Sequence, residues 1–145
     1  MMIHLIKDYS DKFIKFITED PVRPHIPVSK RFGSDKEIFV LKDSDIAQAI
    51  TCVSYNNNVP CCEQDLFKLS DKHLVATFYT VWSYKPGAGR QLILDTVEYI
   101  KDNKPNIKRF VTLSPKTEMA KKFHLKNGAI ILRENGDTIN YEYLM

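Results

Sequence analysis

Glycine is scarce in this chain, five in 145 residues, which excludes flexible low-complexity linkers and makes each glycine a marked turn. Cysteine is scarcer: three, with Cys61 and Cys62 adjacent. An odd count excludes a complete disulfide framework, and the spacing matches no common zinc pattern, so reduced thiols and no metal are expected. No apolar run approaches the ~20 residues that cross a bilayer, and Met1 to Asp8 lacks the apolar core of a signal peptide. The expectation is a soluble, cytoplasmic protein without a membrane partner. A dominant charge sign is also missing. Twenty-one Lys and Arg face eighteen Asp and Glu, with lysines scattered among acids, which argues against a nucleic-acid surface. The mild basic excess suits a phosphorylated ligand. The length fits one domain, 1–145, able to bury a sizeable core.

What is present alternates between strand and helix patterns. Ile3–Ile6 reads as a short strand, and Ser10–Thr18 places Phe13, Ile14, Phe16 and Ile17 at the spacing of a short amphipathic helix. Glu19–Ser34 carries Pro21, Pro24, Pro27 and Gly33, so a loop is expected, with Arg23, His25, Lys30 and Arg31 as solvated charges. Glu37–Lys42 and Ile46–Tyr55 read as paired antiparallel strands. Glu63–Leu69 reads as a helical turn, and Leu74–Trp82 as a central strand because it is apolar almost throughout. A periodic helix over Arg90–Asp102 puts Leu92, Ile93, Thr96, Val97 and Ile100 on one face. Then come a strand at Ile107–Leu113, a helix at Pro115–Lys126, and a hairpin of Ala129–Arg133 with Ile139–Leu144. No internal repeat is evident.

The chemistry gathers where the central strand runs through Val81, Trp82 and Ser83 into Tyr84-Lys85-Pro86-Gly87-Ala88-Gly89-Arg90. A buried strand entering Gly-x-Gly and then a helix aims backbone N–H groups and a helix N-terminus at one spot, where a pyrophosphate gains hydrogen bonds and a favourable dipole. The same glycines equally suit a plain tight turn. Lys85 and Arg90 add positive charge. The order of strand, glycine turn, helix, strand, helix and hairpin resembles the GNAT acyltransferase superfamily. The resemblance implies an α/β (α+β) fold with a mixed, mostly antiparallel twisted sheet and flanking helices, and a coenzyme A thioester at Val81, Trp82, Ser83, Lys85, Gly87, Ala88, Gly89, Arg90 and Phe123. Tyr84 departs from that pattern, which has Gln or Arg there. Ala120, Phe123, His124 and Gly128 match a later spacing, and His124 takes the place of the tyrosine that commonly protonates the departing thiolate.

Three strings, Leu113-Ser114-Pro115, Phe123 to Ala129 and Asn140-Tyr141-Glu142-Tyr143, resemble the catalytic half of malonyl-CoA decarboxylase. That resemblance makes Ser114 and His124 the expected catalytic residues toward acetyl-CoA or malonyl-CoA, without a metal. The large helical domain of those enzymes and their long insertion between the Ser and His strings have no counterpart here. Structural roles compete for both residues: Ser114-Pro115 reads as a helix N-cap and first helical residue, Gly128 as the helix stop, and His124 as a residue placed by the helix dipole. Along one unbroken helix the ten positions between Ser114 and His124 span roughly 15 Å, so a shared bond requires a later helix start or a bend. The wider superfamily pattern allows acyl transfer to an amine acceptor, for which Glu63 and Asp65 are poor candidate bases. A non-catalytic interaction module is the third alternative. Small size and exposed strands suggest a homodimer.

Overall fold

A computed structural model describes residues 1–145. Its strands are β1 (Met2–Ile6), β2 (Lys36–Asp43), β3 (Ile46–Asn56), β4 (Val75–Ser83), β5 (Arg109–Thr112), β6 (Ser114–Pro115), β7 (Ala129–Glu134) and β8 (Thr138–Tyr143). Its α-helices are α1 (Ala88–Asn103) and α2 (Glu118–Lys126). The eight strands form one mixed sheet in the order β1-β2-β3-β4-β5-β8-β6, with β7 on the other edge of β8. β1 and β2 are antiparallel, with Met2 opposite Lys42 and Ile6 opposite Ile38. β4 and β5 are parallel, as expected of strands joined by a helical crossover, here α1. The expected central place of β4 holds: it lies between β3 and β5.

The chain compacts into two units, one of residues 1–53 and 80–99 and one of 54–79 and 100–145. In the first unit, Ile38 to Leu41 of β2 are fully buried, as are Ala49 and Ile50 of β3 and Leu92 of α1. Phe39 meets Tyr99 of α1 edge to face at 5.4 Å. The helix expected over Ser10–Thr18 is instead a turn followed by a 3-10 segment, Ile14–Glu19. Asp11 accepts the Phe13 N–H at 2.8 Å, and the short run closes by the Asp20 N–H bonding back to Ile17. So few residues do not sustain an α-helix against such local bonds.

The segment after Glu19 is irregular apart from a 3-10 turn at Val28–Lys30, but its charges are not all solvated. Arg31 has no exposure and Arg23 is buried. The Arg31 Nη1 donates to Asp20 Oδ2 at 2.7 Å, and Nη2 donates to the carbonyls of Arg23 at 2.8 Å and Ile26 at 2.9 Å. Asp20 Oδ1 accepts from the N–H groups of Val22 and Arg23 and from Thr80 Oγ1 at 2.7 Å. A loop rich in proline cannot satisfy its own carbonyls with N–H groups, and the guanidinium fork supplies the donors.

In the second unit β8 pairs with β5, β6 and β7. Asn140 of β8 donates at 2.8 Å to the carbonyls of both Pro60 and Thr112, and Arg109 grips Glu142 through two bonds of 2.8 and 2.9 Å. Ser114-Pro115 does not begin a helix. It is β6, with Ser114 opposite Ile139, and Thr117 caps α2 by accepting the Ala120 N–H. Pro115 has no N–H to give the sheet, which its terminal position in the shortest strand tolerates. α2 ends as expected at Gly128, whose φ of 98° favours glycine.

Asp20→Ala leaves a buried guanidinium without its carboxylate, and urea denaturation is expected to show a loss of about 3–5 kcal/mol. Thr80→Val, which removes one neutral donor to the same carboxylate, is expected to cost about 1–2 kcal/mol.

Candidate functional site

The glycine turn belongs to the first unit and is held from below. The Tyr84 N–H donates to the Gln48 carbonyl at 2.8 Å. Trp82, buried at the end of β4, donates its indole N–H to the Tyr84 hydroxyl at 3.0 Å, and that hydroxyl donates to Glu19 Oε1 at 2.6 Å. Desolvation, then the bond to Glu19, push the Tyr84 hydroxyl up to about 12, so it remains a donor throughout the neutral range. Its ring lies 5.7 Å from that of Phe16. The departure at Tyr84 thus has a local cause: its side chain is committed to a Trp82–Tyr84–Glu19 chain.

Above this support the Ala88 N–H closes onto the Lys85 carbonyl at 3.1 Å, and the Gln91 N–H onto Gly87 at 3.3 Å. Gly87 has a φ of 82° and open space where a Cβ would stand; the backbone conformation, not crowding, calls for glycine. Lys85, Gly87 and Arg90 are exposed while Ala88 and Gly89 are buried. No acidic residue occupies the first turn of α1, so its positive end is not neutralised by the helix itself. Of the strand residues expected to serve with the turn, Val81 is half-buried and Ser83 exposed. The result is a surface suited to an anion.

The second unit holds the other expected residues. His124 is buried in the last turn of α2. Its Nδ1 lies 2.7 Å from the Tyr143 hydroxyl, and its ring stacks on Tyr141 at 5.0 Å. Phe123, half-buried, meets the imidazole edge to face at 5.1 Å. Burial pulls the His124 pKa down to about 4, so desolvation outweighs the helix dipole and the ring is neutral at physiological pH. The Tyr141 hydroxyl above it is buried without a hydrogen-bond partner. Ser114, also buried, donates to Thr112 Oγ1 at 2.8 Å. Each of the expected pair is therefore committed to a different neighbour, and they share no hydrogen bond. α2 does start later than the sequence suggests, but β6 keeps the serine in the sheet.

Asp65 is tied to the Cys61 N–H at 3.0 Å and to Lys68 at 2.9 Å. These bonds hold its carboxyl well below the usual range, which makes it a weak base. Glu19 is the carboxylate that sequence reasoning missed. It is exposed and joined to Tyr84 across 65 positions, and no local motif signals that pairing.

Neither a family model nor any curated protein matches the chain. Solved structures do. Malonyl-CoA decarboxylase from Cupriavidus metallidurans superposes with a TM-score of 0.72 at 16% identity over 98% of this chain and 60% of that one. The enzyme of the same name from Agrobacterium vitis gives 0.67 at 22% identity over 84% of this chain and 35% of that one. A GNAT family acetyltransferase from Elizabethkingia anophelis with acetyl-CoA bound gives 0.68 at 11% identity, covering 99% of this chain and 97% of that one. The chain has the GNAT fold, and it spans between about a third and three fifths of the decarboxylases.

Between the ordinary histidine value and about 4, the unfolded chain binds a proton at His124 that the folded chain does not. The contribution of this site to stability is thus complete above the ordinary value and is lost as pH falls toward 4. In His124→Gln, the slope of unfolding free energy against pH over that window is expected to flatten, and the imidazole of the unmodified protein is expected to titrate by NMR near pH 4.

Proposed function

We propose that this chain binds a coenzyme A thioester and acts on its acyl group, with malonyl-CoA decarboxylation as the leading reaction. The observation that carries the binding is the start of α1, with no acidic residue in its first turn, behind a glycine at φ 82°, flanked by the exposed Lys85 and Arg90. Backbone N–H groups of the turn and Gly89 would receive the pyrophosphate oxygens, and the two cations would offset its charge. The acetyl-CoA bound in the superposing acetyltransferase supports that ligand class.

For the chemistry, the strings around Ser114, His124 and Tyr141 support the decarboxylase. Breaking the bond to the leaving CO2 puts an electron pair on the thioester enolate, whose carbon then takes a proton. N–H groups at Val81, Trp82 and Ser83 would stabilise the enolate oxygen, and Ser114 would hold the malonyl carboxylate or its carbonyl. His124, uncharged at neutral pH, would pass on a proton drawn from solvent rather than store one. Phe123 would contact the acyl-CoA. Acyl transfer to an amine is the second reading, favoured by the near-complete coverage of an acetyltransferase and by the exposed Glu19 beside Tyr84. There the amine forms the C–N bond, the thiolate leaves, and Glu19 takes the ammonium proton.

At a CoA concentration a hundredfold above Kd, thermal unfolding is expected to report ~2.7 kcal/mol of added stability. Gly87→Ala is expected to weaken CoA binding about tenfold by straining the turn, and absence of any shift in the unmodified chain with CoA, acetyl-CoA or malonyl-CoA would sink the proposal. Incubation with malonyl-CoA is expected to release CO2 and acetyl-CoA, and His124→Ala is expected to lower that rate at least a hundredfold. Release of free CoA from acetyl-CoA only when an amine is present, lost in Glu19→Gln, would instead establish acyl transfer.

A further inference from the structure

β8 is held on both sides, by β5 and β6 along one edge and by β7 along the other. β7 itself pairs with β8 alone, so its far edge presents backbone N–H and C=O groups that no strand meets. Five of its six residues, Ile130 to Glu134, are exposed. Three of these are apolar and consecutive: Ile130 at 46%, Ile131 at 46% and Leu132 at 36%. α2 packs on this strand, and Leu125 in its last turn is exposed as well.

Strand edges are usually blunted by proline, by lysine, by shortness or by a bulge. β7 has neither proline nor lysine, and its six residues are an ordinary strand length. It does carry a bulge, the register against β8 shifting between Ile131 and Arg133. Leu132, the residue skipped there, is itself exposed, so the bulge does not hide the apolar run. The one basic side chain of the strand is already engaged: Arg133 donates to Asn135 Oδ1 at 2.9 Å, to Asn140 Oδ1 at 3.2 Å and to the Val59 carbonyl at 3.1 Å. Open backbone groups and exposed apolar side chains therefore coincide, which suits the addition of another strand.

The flanking charges say which strand. Lys126, exposed in the last turn of α2, stands before β7, and the exposed Glu134 and Asp137 stand at its other end. A strand with a basic start and an acidic finish complements a copy of itself when the two run antiparallel; run parallel, like charges would meet. We propose that β7 is the pairing edge of a homodimer, in which a second copy of this chain adds its own β7 antiparallel about a two-fold axis at Ile131. That register sets Ile131 against its counterpart and Ile130 against Leu132, and it brings the Lys126 end of each copy toward Glu134 and Asp137 of the other. One isologous contact then closes both open edges. The acidic end of the strand favours a second copy over an anionic lipid surface, whose phosphates it would repel. This interface is independent of the coenzyme A proposal.

Sedimentation velocity of the whole chain is expected to show a reversible dimer whose fraction rises with concentration, because one short strand buries less than a permanent interface does. Ile131→Lys sets two like charges face to face at the axis and is expected to weaken association at least tenfold, with the fold, followed by circular dichroism, unchanged. Lys126→Glu is expected to weaken association severalfold, and adding Glu134→Lys in the same chain is expected to restore it. Hydrogen exchange at the amides of residues 130–134 is expected to slow as the dimer fills. A chain that stays monomeric up to about 1 mM overturns the proposal, and if that monomer binds phosphatidylserine vesicles the apolar run belongs to a lipid surface instead. A dimer that keeps its affinity in Ile131→Lys overturns it too, as does a charge-swapped chain that does not recover. If Ile131→Lys does not fold, the charge swap decides.

Discussion

A guanidinium with no exposure to water sets the conditions for the first unit. Arg31 is stable in that place because Asp20 and two loop carbonyls accept hydrogen bonds from it, and Asp20 in turn holds Thr80 of β4. The order of dependence runs from Arg31 outward: loop carbonyls, carboxylate, central strand. Glu19, the neighbour of Asp20, then takes the hydroxyl of Tyr84, immediately before the glycine turn. A buried ion pair contributes little net stability against an apolar replacement, but once present it penalises every arrangement that separates its members. Its effect here is to define one position for a proline-rich segment that has no regular hydrogen bonding of its own.

The same trade between burial and charge governs His124, with the opposite result. Arg31 keeps its charge because a carboxylate and carbonyls replace water. His124 has an aromatic face on Tyr141 and a single hydroxyl from Tyr143, neither of which offsets a positive charge, so it stays neutral to about pH 4. Tyr143 also restricts the tautomer, because Nδ1 is already engaged; whichever group donates in that bond, Nε2 takes the complementary role. A neutral, oriented imidazole differs in chemical use from the cation that a helix C-terminus ordinarily favours.

Much of this was legible in the chain because it is local. The glycine turn, the long α1 stripe of Leu92, Ile93, Val97 and Ile100, the β7–β8 hairpin and the unbroken apolar run of β4 are each written within about a dozen neighbours, where periodicity and turn chemistry act. The failures have several causes. Ser114-Pro115 has the composition of a helix start, but the second unit uses it as an edge partner for β8, a pairing to residues more than twenty positions away. Ser10–Thr18 has the spacing of an α-helix but too short a span, and Asp11 diverts its first N–H. Arg31 reads as a solvated charge because nothing nearby in sequence announces Asp20, Arg23 and Ile26 as its ligands. Glu19 was missed for the same reason, its partner lying across the fold.

The unsatisfied groups add a last distinction. Thr77, Thr96 and Tyr141, like Asn56, have buried side-chain oxygens without a partner. A threonine hydroxyl is small and leaves one donor and its acceptor lone pairs unpaired, so its cost is that of one buried hydroxyl. A carboxamide has two polar ends and a tyrosine hydroxyl sits at the far end of a ring that must itself be packed, so each is poorly explained by packing alone. The Tyr141 hydroxyl lies on the residue that supports His124, while Asn56 borders an open depression beside the 56–74 segment. Both belong to the second unit, yet they differ in surroundings: one is joined to an aromatic cluster with a titratable ring, the other to a lining in which Asp65 and Asp71 are matched by Lys68 and Lys72. The Tyr141 hydroxyl and the Asn56 carboxamide therefore stand in chemically distinct surroundings, the one beside the residue expected to handle a proton and the other beside groups that hold no net charge.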